Sequence, residues 1–385
     1  MKTLLGDLSK QDFLTNYWQQ KPLVIRGAFA DFEMPFSAEE LAGLACDTDA
    51  PSRIIVEKGL APDFKPWTTK HSPFTDEDFI NTPDTHWSFL VNDLERYIPE
   101  LGNLIEPFRF IPDWRIDDLM VSYATDQGSV GPHVDEYDVF LIQGQGKRRW
   151  QVITQENYPK EILDDIDLAI LKEFEADEEW LLETGDMLYL PPNMPHYGIA
   201  EGECFTFSVG FRAPSTLELT QSWLESFSDD KQSDTELNKR FGDAGRKLQQ
   251  HPGEISANDL QKLSNQIISA VEKQQQNLPL FIGKHLTETR GDNDSKKPND
   301  IQILKNQDYE RESWLRIAYI ESPETLHLFA AGTHLELPLS EKTAVQELCE
   351  NYYYTAESLQ TLLQDKGFKG LFQQLLTLGG ITPCD

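Results

Sequence analysis

Positive charge is scarce in this chain. Its 34 Lys and Arg stand against 65 Asp and Glu, a formal net charge of −31. A field of that sign repels nucleic acid phosphates and anionic membrane surfaces, and it draws in basic partners. Direct DNA binding and membrane association are therefore not expected. Cysteine is scarce as well: Cys46, Cys204, Cys349 and Cys384 lie far apart, with neither a disulfide framework nor the paired spacing of a zinc site. A reducing, cytoplasmic setting fits that usage. Long apolar runs are missing, for no stretch approaches the ~18 residues of a membrane span. The opening residues also lack the apolar core and small-residue cleavage site of a signal peptide. What is there is ample for folding: 39% hydrophobic residues in 385, enough for two or three domains at roughly 150 residues each.

Residues 1–45 read as helices around short loops, with a strand at 21–27 that Pro22 starts and Gly27 stops. Residues 51–110 mix short strands and helices. From 119 to 212 the pattern is mostly β, with strands at 119–124, 138–142, 147–153, 180–183, 187–190 and 204–211. Gly144-Gln145-Gly146 reads as a hairpin turn between the second and third of these. Short strands with Gly and Pro turns predict a sandwich or jelly roll. The acidic stretch 155–179, with Ile162, Ile166, Leu168, Ile170 and Leu171, reads as a helical excursion off that barrel. Residues 216–280 turn helical and Gln-rich, with Leu260, Leu263, Ile267 and Val271 at helical spacing after Ser256, a suitable N-cap. Residues 287–300 read as a polar linker. Beyond it, strands at 314–320 and 326–337 and helices at 342–350, 356–364 and 368–378 suit a winged helix. That module holds 6 Lys or Arg against 12 Asp or Glu. A DNA-binding wing should be basic, so a protein-interaction or structural role is expected.

The chemistry is carried by Gly131-Pro132-His133-Val134-Asp135 and, later, Leu190-Pro191-Pro192-Asn193-Met194-Pro195-His196. On an extended segment residues two apart point to one side, so His133 and Asp135 can reach one metal together. His196, at the end of another strand, is placed to supply the third ligand. Two His and one carboxylate fill one face of an octahedron and leave the rest open, the facial triad of non-heme iron(II) oxygenases. A structural zinc site would ask for four ligands. In Lys147-Arg148-Arg149-Trp150-Gln151-Val152, alternation puts Arg148 on the inward face with Trp150 and Val152. A buried guanidinium needs an anion, either an internal carboxylate or the far carboxylate of 2-oxoglutarate. Ser208 shares a small polar face with Thr206 and can add a hydroxyl to that carboxylate, or be an ordinary strand serine.

At these residues the sequence resembles the Jumonji-C (JmjC) family of 2-oxoglutarate oxygenases. The run Tyr17 to Gly27 is similar to that family's N-terminal segment. The family's basic co-substrate ligand lies fifteen residues after the first metal His, which here is Arg148. Many relatives carry Lys there; Arg, and the run His133 to Gly144, resemble the bacterial ribosomal oxygenase branch. The resemblance implies a double-stranded β-helix (jelly-roll cupin) catalytic domain over 1–214, a helical dimerisation segment over 215–286 and a winged-helix-like α+β domain over 300–385.

It further implies Fe(II), 2-oxoglutarate and O₂, with oxidative decarboxylation to succinate and CO₂ coupled to hydroxylation. The implied substrate is the β-carbon of an arginine in the sixteenth protein of the large ribosomal subunit, a basic partner that suits the acidic chain. A homodimer is also implied. Asp126, just before the metal loop, can hold the substrate guanidinium or simply shape a turn, and Tyr137 can line the approach. Two other readings stand beside this one. One is JmjC demethylation, or hydroxylation of a different protein. The other is a non-catalytic cupin fused to a winged helix, acting as a regulator.

Overall fold

The chain falls into two compact units, Met1–Ala213 and Pro214–Asp385. The computed structural model describes residues 4–57, 67–227, 237–289, 302–304 and 306–384.

The first unit is built on nine strands: β1 (Leu23–Ile25), β2 (Ser52–Glu57), β3 (Trp67–His71), β4 (Trp87–Val91), β5 (Ile116–Ala124), β6 (Val139–Val152), β7 (Glu178–Glu183), β8 (Met187–Leu190) and β9 (His196–Phe211). They form one antiparallel sheet in the order β1-β8-β6-β9-β5-β4-β2-β3, with β7 also paired to β6. The run 139–142 is apolar throughout because both of its faces are covered. Phe140 and Ile142 join a large aromatic core with Phe13, Phe89, Phe207 and Phe211. Val139 and Leu141 pack on the other side with Trp150, Leu188 and Leu190. Before the sheet, α1 (Lys10–Asn16) starts at Ser9, whose hydroxyl accepts from the Asp12 N–H. Its Phe13 is fully buried against Tyr189 and Phe140, at 5.0 and 5.6 Å between ring centroids. A Ser37–Glu40 capping box opens α2 (Ala38–Asp47).

Two sequence expectations fail in this unit. Gly144-Gln145-Gly146 is not a hairpin turn. β6 runs straight through it for 14 residues, pairing with β8 and then β7 on one side and with β9 on the other. The glycines absorb two register shifts against β9. Gly146 has φ +69°, and a Cβ there would collide with the Glu203 carbonyl, so the bulge needs glycine. The stretch 155–179 is not a helix. It is irregular, with a single bridge between Ile162 and Leu171, until β7 begins. Its Asp164, Asp165 and Asp167 favour turns over helix, and Asp165 takes φ +60°. Leu163, Ile166, Leu168 and Ile170 instead pack onto Ile55, Trp67, Leu90 and Met120.

The first unit also holds two short helices, Asp76–Ile80 and Gly102–Ile105, and the second unit follows them in the chain. Here α3 (Thr216–Ser226) and α4 (Ala257–Gln275) are helices, the latter capped by Ser256 as expected. The predicted helical stretch between them is not helical at 237–256, and 228–236 lie outside the described residues. Next, α5 (Leu278–Thr287) packs on the three-stranded sheet β10 (Ile317–Glu321), β11 (Thr325–Ala330) and β12 (Thr333–Pro338). Gly283 allows the close approach, because a Cβ there would strike the Phe329 ring. The predicted single strand 326–337 is thus a hairpin. Ala331 and Gly332, at φ +47° and +73°, make the reversal. Helices Lys342–Glu350, Ala356–Leu362 and Lys366–Leu378 complete the module. The linker read at 287–300 lies mostly outside the described residues, although Thr287 itself ends α5 and is buried.

Candidate metal centre and its cavity

His133 and His196 meet as a β-bridge. The His133 N–H donates to the His196 carbonyl and the His196 N–H to the His133 carbonyl, each at 3.0 Å. Residues that exchange both bonds stand directly opposite, with side chains on one face. Asp135, two residues on, points to that same face, and its carbonyl accepts from Asn193 N–H at 2.7 Å. The side chains converge. Asp135 Oδ2 lies 3.8 Å from His133 Nε2 and 3.6 Å from His196 Nε2. All three donor atoms lie within 4.8 Å of one another, the single such group among the described residues.

Backbone carbonyls fix the tautomers. His133 Nδ1 is 2.9 Å from the Gly131 carbonyl, and His196 Nδ1 is 2.9 Å from the Met194 carbonyl. A carbonyl only accepts, so each Nδ1 carries the hydrogen and each Nε2 presents a lone pair. Burial, and then the neighbouring His133, push the His196 imidazole down to about 4, so it stays neutral at physiological pH. Two imidazoles and a carboxylate on one wall of a cavity suit a divalent metal with exchangeable positions.

The cavity beside them measures about 420 Å³. Arg148 projects into it and is only 4% exposed. Its Nη1 donates to Ser122 Oγ at 3.2 Å and Thr206 Oγ1 at 3.5 Å. Its Nε and Nη2 are buried without a hydrogen-bond partner. Of the two anions considered for it, no internal carboxylate among the described residues is bonded to it. Ser208 lines the cavity on the same face as Thr206, but the hydroxyls at Arg148 are those of Thr206 and Ser122.

A JmjC-domain model matches residues 103–219, and a ROXA-like winged-helix model matches 216–381. The Ribosomal protein uL16 3-hydroxylase of Escherichia coli K12 is 33% identical over 382 residues, covering 97% of each chain. The chain belongs to the JmjC ribosomal oxygenases. A Probable ribosomal oxygenase of Haemophilus influenzae is 32% identical over 365 residues, 89% of this chain and 86% of that one. The crystal structure of Escherichia coli YcfD superposes with a TM-score of 0.78 at 30% identity, covering all of both chains. YcfD in complex with cobalt and 2-oxoglutarate gives 0.76 at 30% identity, over 98% of this chain and 99% of that one. The fold of this ribosomal oxygenase is accordingly a cupin-type JmjC domain with a C-terminal winged helix.

Two substrate-side expectations for this JmjC oxygenase separate in space. Tyr137 is on the cavity wall, half-exposed. Loss of water, and then the Asp135 and Asp118 carboxylates, raise its hydroxyl well above the usual tyrosine range, so it remains a neutral donor. Asp126 is not brought to the cavity. It sits in the turn after β5, where Oδ1 accepts from the Gly202 N–H at 2.8 Å. Besides Asp135, the cavity is lined by Asp167 and by Asp118, which is on β5 and 8% exposed. Asp118 accepts from Asn92 Nδ2 at 3.2 Å and the Asp93 N–H at 3.4 Å. Gly210 leaves room beside it, for a Cβ there would stand 3.2 Å from Asp118 Oδ1. Sequence reading missed Asp118 and Ser122. Ser122 lay on the strand expected at 119–124, but Asp118 lay just before it; the observed strand starts at Ile116 and puts both on one face with Met120 between them.

Proposed function

We propose that this chain is an Fe(II)- and 2-oxoglutarate-dependent oxygenase that hydroxylates the β-carbon of an arginine in ribosomal protein uL16. The observation that carries it is one cavity holding both the His133, Asp135 and His196 donor atoms and a buried guanidinium with two free donor groups. Bound iron supplies O₂ activation, coupled to decarboxylation of 2-oxoglutarate to succinate. The chain's residues do the rest. His133, Asp135 and His196 hold the metal from one side and leave the cavity side open. Arg148 fixes the far carboxylate of the co-substrate, which satisfies its Nε and Nη2. Ser122 and Thr206 hold the guanidinium in place, and Ser208 offers a further hydroxyl at the same wall.

The uL16 assignment is supported by the likeness to the Escherichia coli ribosomal protein uL16 3-hydroxylase, and the arginine by the chemistry of the cavity itself. Asp118 is placed to accept a substrate guanidinium in a charge-assisted pair, and Tyr137 flanks the way in. The net charge of −31 attracts a basic ribosomal protein and repels the surrounding RNA. That substrate places the reaction in the cytoplasm. Asp126, tied to Gly202, has no part in this reading.

The oxygenase acts as a homodimer. Leu260, Leu263, Ile267, Ile268 and Val271 are exposed along α4. A straight apolar stripe on one helix is self-complementary about a two-fold axis, so a second copy of the chain covers it. Ile267→Asp should convert the dimer to a monomer in light scattering; an unchanged mass would reject this interface.

The activity is tested by incubating the protein with recombinant uL16, Fe(II) and 2-oxoglutarate. An arginine-containing peptide should gain the mass of one oxygen, and His133→Ala should abolish it. Succinate formation without any modified arginine would leave the oxygenase but overturn the substrate.

A further inference from the structure

Arg148 is not the only donor left unsatisfied in the cavity. The Trp150 Nε1 is also buried without a hydrogen-bond partner, and Trp150 lines the same space. Most buried indole N–H groups have a partner, because leaving one unmade forfeits its hydration without return. Trp150 is two residues from Arg148 on the inward face of β6. Its ring centroid lies 5.6 Å from Arg148 Cζ and 5.9 Å from the centroid of the His196 ring. The indole therefore neighbours both ends of the space between the co-substrate anchor and the metal-side histidine. Packing holds it there. The edge of its six-membered ring lies against Gly198, where a Cβ would stand 2.7 Å away. Glycine at 198 thus makes room for this ring position. Arg148 and Trp150 together present three orphaned donor atoms and no acceptor, which calls for a ligand rich in acceptors.

We propose that the Trp150 N–H donates to a carboxylate oxygen of the co-substrate, making Trp150 a positioning residue for the dicarboxylate. This rests on the 2-oxoglutarate reading above. The indole adds a direction that a guanidinium alone does not. Arg148 grips one end, and a fixed N–H beside it restricts how the ligand turns about that grip. A hydrogen bond from a neutral donor to an ionised acceptor is also among the stronger kinds.

The test uses full-length protein labelled with ¹⁵N at its eight Trp indoles and loaded with Zn(II). The Trp150 resonance is identified by its loss in Trp150→Phe, and independently by broadening when Co(II) replaces Zn(II). On titration with 2-oxoglutarate it should move downfield, as on hydrogen-bond formation. In Trp150→Phe the Kd for 2-oxoglutarate should rise about tenfold. The KM for 2-oxoglutarate should rise with it, while that for uL16 stays unchanged. Saturable 2-oxoglutarate binding with an unmoved Trp150 resonance overturns this inference and leaves the co-substrate reading intact. Absence of any 2-oxoglutarate binding overturns both.

Discussion

His133 and His196 are joined backbone to backbone by two 3.0 Å hydrogen bonds, so two of the three proposed ligands are fixed before any metal arrives. The metal then contributes mainly its own binding free energy. Cobalt(II) at about 100 times its Kd should raise the unfolding free energy of the first unit by about 2.7 kcal/mol. Asp135→Ala should remove that increment and the activity together, as read by denaturation with and without metal.

Arg148 keeps two buried donor atoms, Nε and Nη2, without a hydrogen-bond partner. Arg148→Met keeps the length and removes the buried donors. We expect the apo variant to be as stable as the parent, or more stable by about 1–3 kcal/mol, in urea denaturation. Its 2-oxoglutarate turnover should fall to background. A strongly destabilised variant would show that the guanidinium has an internal partner.

Asp138 presents the opposite case. It is fully buried, yet Arg115 Nη2 lies 3.1 Å away, Tyr189 donates at 2.6 Å and Gln19 Nε2 at 3.0 Å. This network ties the N-terminal segment to β8 and to the start of β6. Asp138→Ala leaves a mostly buried Arg115 without its carboxylate and should cost about 3–5 kcal/mol. The midpoint of chemical denaturation checks this.

Asp118 faces the cavity where a substrate guanidinium would lie. Asp118→Asn should raise the KM for uL16 by about tenfold or more, the worth of a charged hydrogen bond. The KM for 2-oxoglutarate should stay put. Asp126→Asn, made at the Gly202 turn, should change neither.

The metal-free protein should lose stability on mild acidification. Burial depresses the His196 imidazole to about 4 from its ordinary 6.5. Between those values the unfolded chain takes up a proton that the native protein refuses. Stability is thus intact above about pH 6.5 and declines by about 1.4 kcal/mol per pH unit toward pH 4. Denaturant midpoints across that range should show the slope, and His196→Asn should flatten it.

Much of this was legible in the sequence where the determinant is local. Two-residue spacing brought His133 and Asp135 together, and strand alternation turned Arg148 inward with Trp150. Ser256 announced its helix. What failed was set by distant partners. Gly144-Gln145-Gly146 reads as a turn in isolation, and pairing with β8, β7 and β9, with two register shifts against β9, carries β6 through it. The acidic stretch 155–179 mixes helical and alternate apolar spacing, and the sheet face under Leu168 and Ile170 decides between them. Asp118 and Ser122 matter through the cavity they face, which no single segment encloses. Asp126 is near His133 in sequence, but it sits in the turn where Oδ1 accepts from the Gly202 N–H and does not line the cavity.

The straight passage of β6 has a metrical effect. His196 stands opposite Val152, and Arg148 is four positions along the same strand, held in register by β9 on one side and β7 on the other. Four positions amount to roughly 13 Å of strand. β6 is therefore a ruler between the metal-side histidine and the guanidinium proposed to grip the far end of the ligand. Deleting one residue between them would turn Arg148 out of the barrel, since a single step reverses the face. The length of dicarboxylate the enzyme accepts is written in the residue count of one strand.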